Sequence, residues 1–441
     1  MIEENTRPSW SVAGQAVSFS PVAVERLLLI LAALFVGTGL IQLALLARLP
    51  PLTGLMAFII WCASFAAAHL ALNRFLPGRD PLLLSITALL SGLGLVEIAR
   101  LAPPFLNRQV VWLPISVAAL FLVSAAPRDL RWLKRYRYTW LLGGLLLLVA
   151  TFFFGVNPSG ANVERLWLHV GPIYFQPSEI LKLLFVAYLS SYLAEKRELI
   201  VTAGRRLGQI QLPALPYLAP LLVIWGLAMV LLASQQDMGA AVLFFLTFLV
   251  MLYIASGQTG YVLGGLGLFL IGAGVAYRLI SRVTLRVDIW WNPWPEASGR
   301  AFQIVQSLIA LGAGGIIGQG LGQGAPTVIP VVHSDFVFAA IGEEFGLMGT
   351  LAVVALFGIL MLRGFRSAMR ARTPFARLLA AGLATIIGLQ AWVIIAGNAR
   401  LVPLTGVTLP FLSYGGSSLL TSSIAIGLLL QVSDRASDDE R

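Results

Sequence analysis

The chain has 441 residues, of which 58% are hydrophobic and 11% are charged, and its formal net charge is +10. Soluble domains carry about 25% charged residues, so this composition excludes an ordinary soluble protein and indicates a polytopic membrane protein. A basic chain can bind nucleic acid, but the cations here lie in loops beside apolar runs, which is typical of membrane orientation signals. We therefore expect a membrane partner and no nucleic acid.

Apolar runs of about 20 residues predict twelve transmembrane helices in an all-α bundle. The N-terminal residues lack the residue order of a cleaved signal peptide, so the first span is expected to remain as an anchor. The single cysteine, Cys62, excludes an internal disulfide. The predicted spans are 24–47, 52–75, 80–103, 108–126, 137–156, 177–195, 213–233, 238–256, 259–281, 337–363, 376–397 and 407–432.

Three short loops between these spans are rich in lysine and arginine. With twelve spans they lie on one side of the membrane, which the positive-inside rule makes cytoplasmic. Both termini are then cytoplasmic, and the segment 282–335 lies outside. The cations of the three loops are Arg128, Arg131, Lys134, Arg135 and Arg137; Lys196, Arg197, Arg205 and Arg206; and Arg363, Arg366, Arg370, Arg372 and Arg377.

Residues 282–335 form the one long polar stretch in the sequence. They contain WWNPWPEASGRAFQ, then a glycine-rich run, then HSDF. Hydrocarbon does not tolerate unpaired acids, amides and histidines, whereas a segment at the water interface does. The sequence therefore predicts that chemistry takes place in this outer segment, just before the last three spans.

Ionisable residues inside predicted spans are a second signal, because each costs about 3 kcal/mol at the bilayer centre unless it is paired or hydrated. Glu179 and Lys182 are one helical turn apart, so they can neutralise each other, either within a functional cavity or as an anchor at a helix start. Asp237 begins a span, where a carboxylate also suits the helix dipole.

Other charged residues lie towards the outer ends of the spans. Glu343 and Glu344 are adjacent and cannot share one helix face, so at least one must find a partner, a cavity or water. Arg400 follows a span and either extends to the interface or faces the outer segment. Glu97 and Arg100 are a turn apart and are interpreted as a structural pair.

Five motifs, in order, resemble the signatures of the shape, elongation, division and sporulation proteins (SEDS), the FtsW/RodA/SpoVE family. They are QPSEILK, QQDMGAAV, FQIVQSLIALGAGGIIGQGLGQG, HSDFVFAAIGEEFGLMG and PLTGVTLPFLSYGGSSLL. The resemblance covers residues 80–432 and implies a ten-span core. Residues 1–79 are then an N-terminal tail with two additional spans, and residues 433–441 are a cytoplasmic tail.

The resemblance implies a bacterial glycosyltransferase of the cytoplasmic membrane that polymerises lipid II into peptidoglycan strands and so supports cell shape or division. Such a reaction requires a general base and cations for the departing pyrophosphate. The family implies no certain cofactor, and a role for a divalent cation stays open. It also implies a class B penicillin-binding protein, a transpeptidase, as partner. Outer arginines that can serve the pyrophosphate are Arg165, Arg282, Arg286, Arg300 and Arg400.

The family places its proposed catalytic aspartate in a pattern like NPWEDPFGSGYQ, and NPWPEASGRAFQ aligns Glu296 with it. Glutamate keeps the carboxylate but adds a methylene. The alternatives are that Asp288 or Asp335 is the base, or that polymerase activity is lost. By resemblance, the expected substrate-binding residues are Arg165, Glu179, Lys182, Asp237, Gln303, His333, Asp335, Glu344, Arg400 and Ser413.

Two other functional classes fit the same features. One is a flippase or transporter of the lipid-linked precursor, which would place its decisive polar residues near the middle of the membrane. The other is a non-catalytic scaffold that recruits a transpeptidase, which the glutamate at position 296 leaves open. No histidine or acid cluster has convincing metal-ligand spacing, and only His333 lies near another candidate, Asp335.

Overall fold

The computed structural model describes residues 20–127, 130–157, 165–171, 173–202, 205–207, 210–212 and 215–437. The expected N-terminal tail before residue 20, Arg128 of the first cationic loop and residues 438–441 lie outside these ranges. The helices, in chain order, are α1 (Pro21–Leu45), α2 (Pro51–Phe75), α3 (Pro81–Leu101), α4 (Pro103–Ser124), α5 (Arg131–Arg135), α6 (Arg137–Phe154), α7 (Pro177–Thr202), α8 (Leu215–Ser234), α9 (Met238–Ser256), α10 (Thr259–Leu279), α11 (Ser281–Trp291), α12 (Phe302–Ala313), α13 (Val332–Asp335), α14 (Val337–Arg370), α15 (Pro374–Asn398) and α16 (Gly416–Ser437).

Two short antiparallel hairpins complete the described secondary structure. β1 (Leu168–Val170) pairs with β2 (Ile173–Phe175), with Leu168 opposite Phe175. β3 (Arg205–Leu207) pairs with β4 (Ile210–Leu212). Each hairpin lies in a connection next to α7, so the architecture is the predicted all-α bundle.

Eleven helices in the described part of the chain are long and apolar enough to cross a membrane. The remaining predicted span, 177–195, coincides with α7, a 26-residue helix that is not among those eleven. At about 1.5 Å per residue this helix is also long enough to span the hydrocarbon. Glu179 and Lys182 in its first turns make it less apolar than its neighbours.

Sequence signals explain where many helices begin. Proline occupies the first helical position of six spans, α1 to α4, α7 and α15, where its missing N–H costs nothing. The side chains of Ser20, Asp80, Asp237 and Thr373 cap the helices that follow them by accepting backbone N–H groups. The cap at Asp237 agrees with the structural reading of that carboxylate and leaves its other oxygen for further contacts.

The last span starts later than predicted. The sequence predicted a helix from residue 407, but α16 begins at Gly416, and residues 401–415 are without helix. Pro403 and Pro410 remove backbone donors, and Gly406 has φ +73°, so this stretch cannot continue a regular helix. The irregular stretch matters because part of it is buried in the bundle, including Leu409, Phe411 and Leu412.

α14 is interrupted at Gly346, whose φ of 67° and ψ of −164° are not helical. An interrupted helix exposes backbone groups that lipid cannot satisfy. Residues 314–325, which we call the glycine turn, supply the missing partners. Gln319 N donates to Glu343 O at 2.9 Å, and Leu347 N donates to Gly315 O at 2.9 Å. The kink and the glycine turn are therefore one structural unit.

The N-terminal helix pair is fastened by a buried polar cluster. The Glu25 carboxylate lies 2.6 Å from His69 Nδ1 and accepts a hydrogen bond from Arg79 Nε at 3.1 Å. Asn73 joins the same cluster through His69 and Arg79. This cluster links α1, α2 and the connection to α3, and α1 packs along α3 over much of its length.

The outer segment 282–335 is not an extended loop. It folds into α11, α12 and α13, with 3-10 turns at Trp294–Glu296 and Pro326–Val328. At about 1.5 Å per residue, α11 and α12 are too short to cross the hydrocarbon. They instead build a structured layer over the ends of the last spans.

Candidate functional site

A cavity of about 220 Å³ opens within the outer segment, and we call it the arginine cavity. Four of its lining side chains are arginines, and one is an acid, Asp335. α11 supplies one wall, the start of α12 and the end of α13 supply another, and the stretch after α15 closes it. The lining residues are Arg282, Leu285, Arg286, Ile289, Trp290, Arg300, Gln303, Ile304, Asp335, Arg400, Val402 and Leu404.

The arginine cavity is braced by hydrogen bonds to backbone carbonyls. Arg286 Nη1 donates to Thr405 O at 2.8 Å, and Trp290 Nε1 donates to Arg400 O at 3.2 Å. These contacts tie α11 to the irregular stretch after α15. Four guanidinium groups around one acid leave the cavity with excess positive charge, which suits a phosphate or pyrophosphate because guanidinium matches phosphate oxygens in pairs.

Asp335 is held at the cavity by a buried amide. Asn398 Nδ2 donates to Asp335 O at 2.8 Å, and Asn398 Oδ1 accepts from Ala339 N at 3.3 Å. The Asp335 carboxylate accepts a hydrogen bond from Ser334 Oγ at 2.9 Å. The end of α13 is thus fixed to the end of α15, and the carboxylate is presented to the cavity.

Glu296 lies at the edge of the arginine cavity, in the 3-10 turn Trp294–Glu296. Arg300 Nη2 lies 2.8 Å from Glu296 Oε1, and its guanidinium lines the cavity, whereas Glu296 does not line it. The side chains of Glu296 and Arg300 are 45% and 64% exposed. The hydrogen bond and charge of Arg300 lower the pKa of Glu296, so its carboxylate is ionised at neutral pH.

A second cavity of about 30 Å³, the inner cavity, lies deeper in the bundle. Glu179 Oε2 and Lys182 Nζ are paired at 2.8 Å, which confirms that these two residues neutralise each other. Lys182 also donates to Gln390 Oε1 at 2.6 Å. The lining residues are Gln176, Ser178, Glu179, Lys182, Asp237, Ala240, Leu243, Gly406, Val407 and Thr408.

Asp237 combines two roles in the inner cavity. Its Oδ1 accepts the Ala240 N–H at 3.0 Å as a helix cap, and its Oδ2 accepts Ser178 Oγ at 3.0 Å. The cap and the cavity lining are therefore compatible, and the carboxylate joins the starts of α7 and α9.

Residues 404–408 form the partition between the two cavities. Leu404 lines the arginine cavity, while Gly406, Val407 and Thr408 line the inner one. A Cβ placed on Gly406 would lie 3.3 Å from Arg286 Nη2 and 3.7 Å from Asp335 Oδ2. Glycine at this position therefore keeps the partition thin where those two side chains approach it.

Residues 84–438 match the family model of the FtsW/RodA/SpoVE cell cycle proteins. The chain belongs to the FtsW/RodA/SpoVE family. It is 41% identical over 382 residues to the peptidoglycan glycosyltransferase RodA of Mycobacterium tuberculosis, covering 84% of this chain and 81% of the relative. It is 36% identical over 336 residues to the probable peptidoglycan glycosyltransferase FtsW of Geobacter metallireducens, covering 75% of this chain and 85% of that one.

Solved structures of FtsW/RodA/SpoVE members share the fold. A chain of a peptidoglycan synthase complex, studied for the coordination of polymerization and crosslinking, superposes with a TM-score of 0.65 at 30% identity and covers 80% of this chain and 97% of that chain. RodA of Thermus thermophilus gives a TM-score of 0.57 at 26% identity and covers 80% of this chain and 96% of that chain. The protein is thus a multi-pass bacterial membrane protein.

The site residues expected from the FtsW/RodA/SpoVE resemblance fall into three groups. Gln303, Asp335 and Arg400 meet at the arginine cavity, with Glu296 attached through Arg300. Glu179, Lys182 and Asp237 meet at the inner cavity. The residues that line neither cavity are Arg165, His333, Glu344 and Ser413.

Two residues of the third group support the arginine cavity from behind. Ser413 Oγ donates to Ser334 O at 2.5 Å. The His333 ring packs against Phe105 in a tilted arrangement, with centroids 5.0 Å apart. Partial burial lowers the pKa of His333, so its ring is neutral at neutral pH. Both contacts fix α13, which carries Asp335.

Glu344 pairs with Arg100 at 3.0 Å in the interior, and Glu343 accepts the Ala325 N–H at 2.8 Å. The expectation that these adjacent acids find partners is confirmed. The interpretation of Glu97 and Arg100 as a structural pair is wrong, because helix packing brings Glu344 of α14 to the Arg100 guanidinium instead. Sequence reasoning also missed the roles of Gln390 and Asn398, although a buried amide inside a span is itself a signal.

Among the described residues, no group of three or more His, Cys, Asp or Glu side chains is arranged to hold a metal ion.

Proposed function

We propose that this chain is a peptidoglycan glycosyltransferase that polymerises lipid II at the outer face of the cytoplasmic membrane. The names of its RodA and FtsW relatives support this activity. The arginine cavity is the single observation that carries the proposal, because it combines excess cationic charge with the neighbouring carboxylate of Glu296, in the segment that precedes the last three spans.

In the proposed reaction, the 4-hydroxyl of one GlcNAc attacks the anomeric carbon of a MurNAc on a second lipid II. A general base takes the hydroxyl proton as the new C–O bond forms. The bond from the anomeric carbon to the phosphate oxygen breaks, and undecaprenyl pyrophosphate leaves with the electron pair. Negative charge grows on the leaving group, so fixed cations stabilise the transition state more than the ground state.

We assign the departing pyrophosphate to the arginine cavity. Arg282, Arg286, Arg300 and Arg400 converge there from three separate parts of the chain. The guanidinium groups therefore lie close together and repel one another. An anion bound in the cavity would relieve this repulsion. The apolar side chains of Leu285, Ile289 and Ile304 beside them suit the first carbons of a lipid tail.

We assign the general base to Glu296. Its carboxylate is ionised and exposed at the cavity edge, where a sugar hydroxyl can reach it. The extra methylene relative to the family aspartate is accommodated by the pairing with Arg300, which holds the longer side chain over Gly299. Asp335 and Asp288 are the competing bases; Asp288 accepts a hydrogen bond from Tyr277 at 2.9 Å.

We propose the orientation and organisation expected from the sequence. The cationic loops and both termini lie in the cytoplasm, and the arginine cavity faces outward. Residues 80–432 form the ten-span core, and α1 and α2 are an addition to it. The proposed partner is a cross-linking transpeptidase of the class B penicillin-binding type. The fold shared with a chain of a peptidoglycan synthase complex supports this partner.

A precursor flippase is the second candidate, because Glu179, Lys182 and Asp237 lie together inside the bundle. The inner cavity of about 30 Å³ holds no more than a water or two, which favours the transferase. Purified protein in proteoliposomes, supplied with labelled lipid II and the partner, separates the two. Glycan polymer without lipid exchange between leaflets supports the proposal, whereas exchange without polymer contradicts it.

A further inference from the structure

The first helix, α1, contacts the outer segment although it precedes the residues that match the family model, which begin at residue 84. Gln42 Nε2 donates to Leu321 O in the glycine turn at 3.0 Å. The Phe35 ring lies 6.5 Å from that of Phe345, next to the kink of α14. α1 therefore touches both halves of the unit formed by the kink and the glycine turn.

The glycine turn is held from three sides. Gln42 binds the carbonyl of Leu321, Arg100 Nη2 donates to Gly324 O at 2.8 Å, and Glu343 accepts the Ala325 N–H. At Gly322, which has φ +80°, a Cβ would lie 3.5 Å from Leu43 Cδ2 of α1 and 2.9 Å from Cδ1 of Leu46, the residue after α1, so the end of α1 packs directly against the turn. Of the three sides, only the contact from α1 comes from outside the matched residues.

The glycine turn lies between α12 and α13, two of the three helices that line the arginine cavity. α12 enters it after presenting Gln303 and Ile304 to the cavity, and the chain continues from it to α13 and Asp335. Gly314, at its start, lies so close to α14 that a Cβ would overlap Gly342 O. Since α12 is a short, packed helix, a displacement of its end at the turn is transmitted to its start at the cavity.

We propose that α1 is a positioning element for the polymerisation site and that Gln42 is the positioning residue through which it acts. The helix is fixed at its other end by the buried pairing of Glu25 with Arg79 and His69. With both ends held, α1 fixes the glycine turn, and the turn sets the distance between α12 and α13. This inference rests on the proposed function only in its effect on polymerisation.

The test compares Gln42→Leu, which keeps the bulk and removes the amide, with Ile41→Ala, a lipid-facing neighbour on the same helix that is 61% exposed. Hydrogen exchange of residues 314–325 and lipid II polymerisation are measured on the full-length protein. Loss of one hydrogen bond predicts exchange about fivefold faster in this segment. A displacement of the cavity wall predicts polymerisation about tenfold slower, with an unchanged thermal midpoint. Ile41→Ala is expected to match the wild type in both.

Unchanged exchange in Gln42→Leu overturns the contact, and faster exchange with unchanged polymerisation overturns the positioning role. Failure of the proposed function is recognised separately, because the wild type itself would then make no polymer. The exchange measurement still decides in that case whether α1 holds the glycine turn.

Discussion

Glu296 and Arg300 are paired at 2.8 Å, and the same arginine lines the cavity assigned to the pyrophosphate. The two roles of Arg300 compete, because a guanidinium drawn towards an anion in the cavity loosens its hold on the carboxylate. Loosening raises the pKa of Glu296 towards its ordinary value and makes it a stronger base. We therefore expect substrate binding and activation of Glu296, the proposed base, to be coupled through Arg300.

Arg300→Gln is predicted to move the acidic limb of the pH–rate profile to higher pH. In the free enzyme Arg300 lowers the pKa of Glu296, and a general base works only when ionised, so kcat/KM of the wild type falls as pH drops through that lowered pKa. Without Arg300 the pKa is higher, and the rate falls earlier. Polymerisation is measured from about pH 3 to about pH 8, a range that includes the ordinary pKa of a glutamate carboxyl. An unmoved limb would show that another group is titrating.

Arg400→Gln is predicted to lower kcat/KM for lipid II by at least about tenfold, since a charge-assisted hydrogen bond contributes about 1.5 to 3 kcal/mol. Arg278→Gln is the matched control, because Arg278 is exposed at the end of α10 and does not line the cavity. Equal losses in the two variants would indicate a general effect of surface charge rather than pyrophosphate binding.

Gly406→Ala is predicted to slow polymerisation beyond what its loss of thermal stability explains. Its φ of +73° disfavours alanine by about 1 to 2 kcal/mol, and its Cβ would lie beside Arg286 and Asp335. Gly257→Ala is the control, with φ +69° and open space around the Cβ. Both variants should lose similar thermal stability, and only Gly406→Ala should lose activity. Equal activities of the two variants would show that the partition is not part of the polymerisation site.

Lys182→Met is predicted to destabilise the protein by about 3 to 5 kcal/mol, because it leaves the Glu179 carboxylate buried without its partner. Lys196→Met, which breaks an exposed contact with Glu195 on the same helix, should cost less than about 1 kcal/mol. Thermal unfolding in detergent checks the difference. Addition of Glu179→Gln to Lys182→Met should recover part of the loss.

The sequence predicted the helical bundle because twenty-residue apolar runs are a strong, local signal. It predicted residues 282–335 as the functional site because so long a polar stretch cannot lie in the hydrocarbon of the membrane. It missed the late start of α16, since an apolar run does not record that Pro403, Pro410 and Gly406 break the helix. Pairings between distant elements, such as Arg100 with Glu344 and Asn398 with Asp335, depend on packing that no local pattern encodes.

The central claim is that Glu296 is the general base, and one comparison of variants tests it most directly. Purified wild-type protein, Glu296→Asp and Glu296→Gln are each given labelled lipid II with the transpeptidase partner, and polymer length and yield are measured. We expect polymer from the wild type, reduced but clear polymer from Glu296→Asp, and none from Glu296→Gln. Polymer from Glu296→Gln at the wild-type level would contradict the assignment of Glu296 as the base.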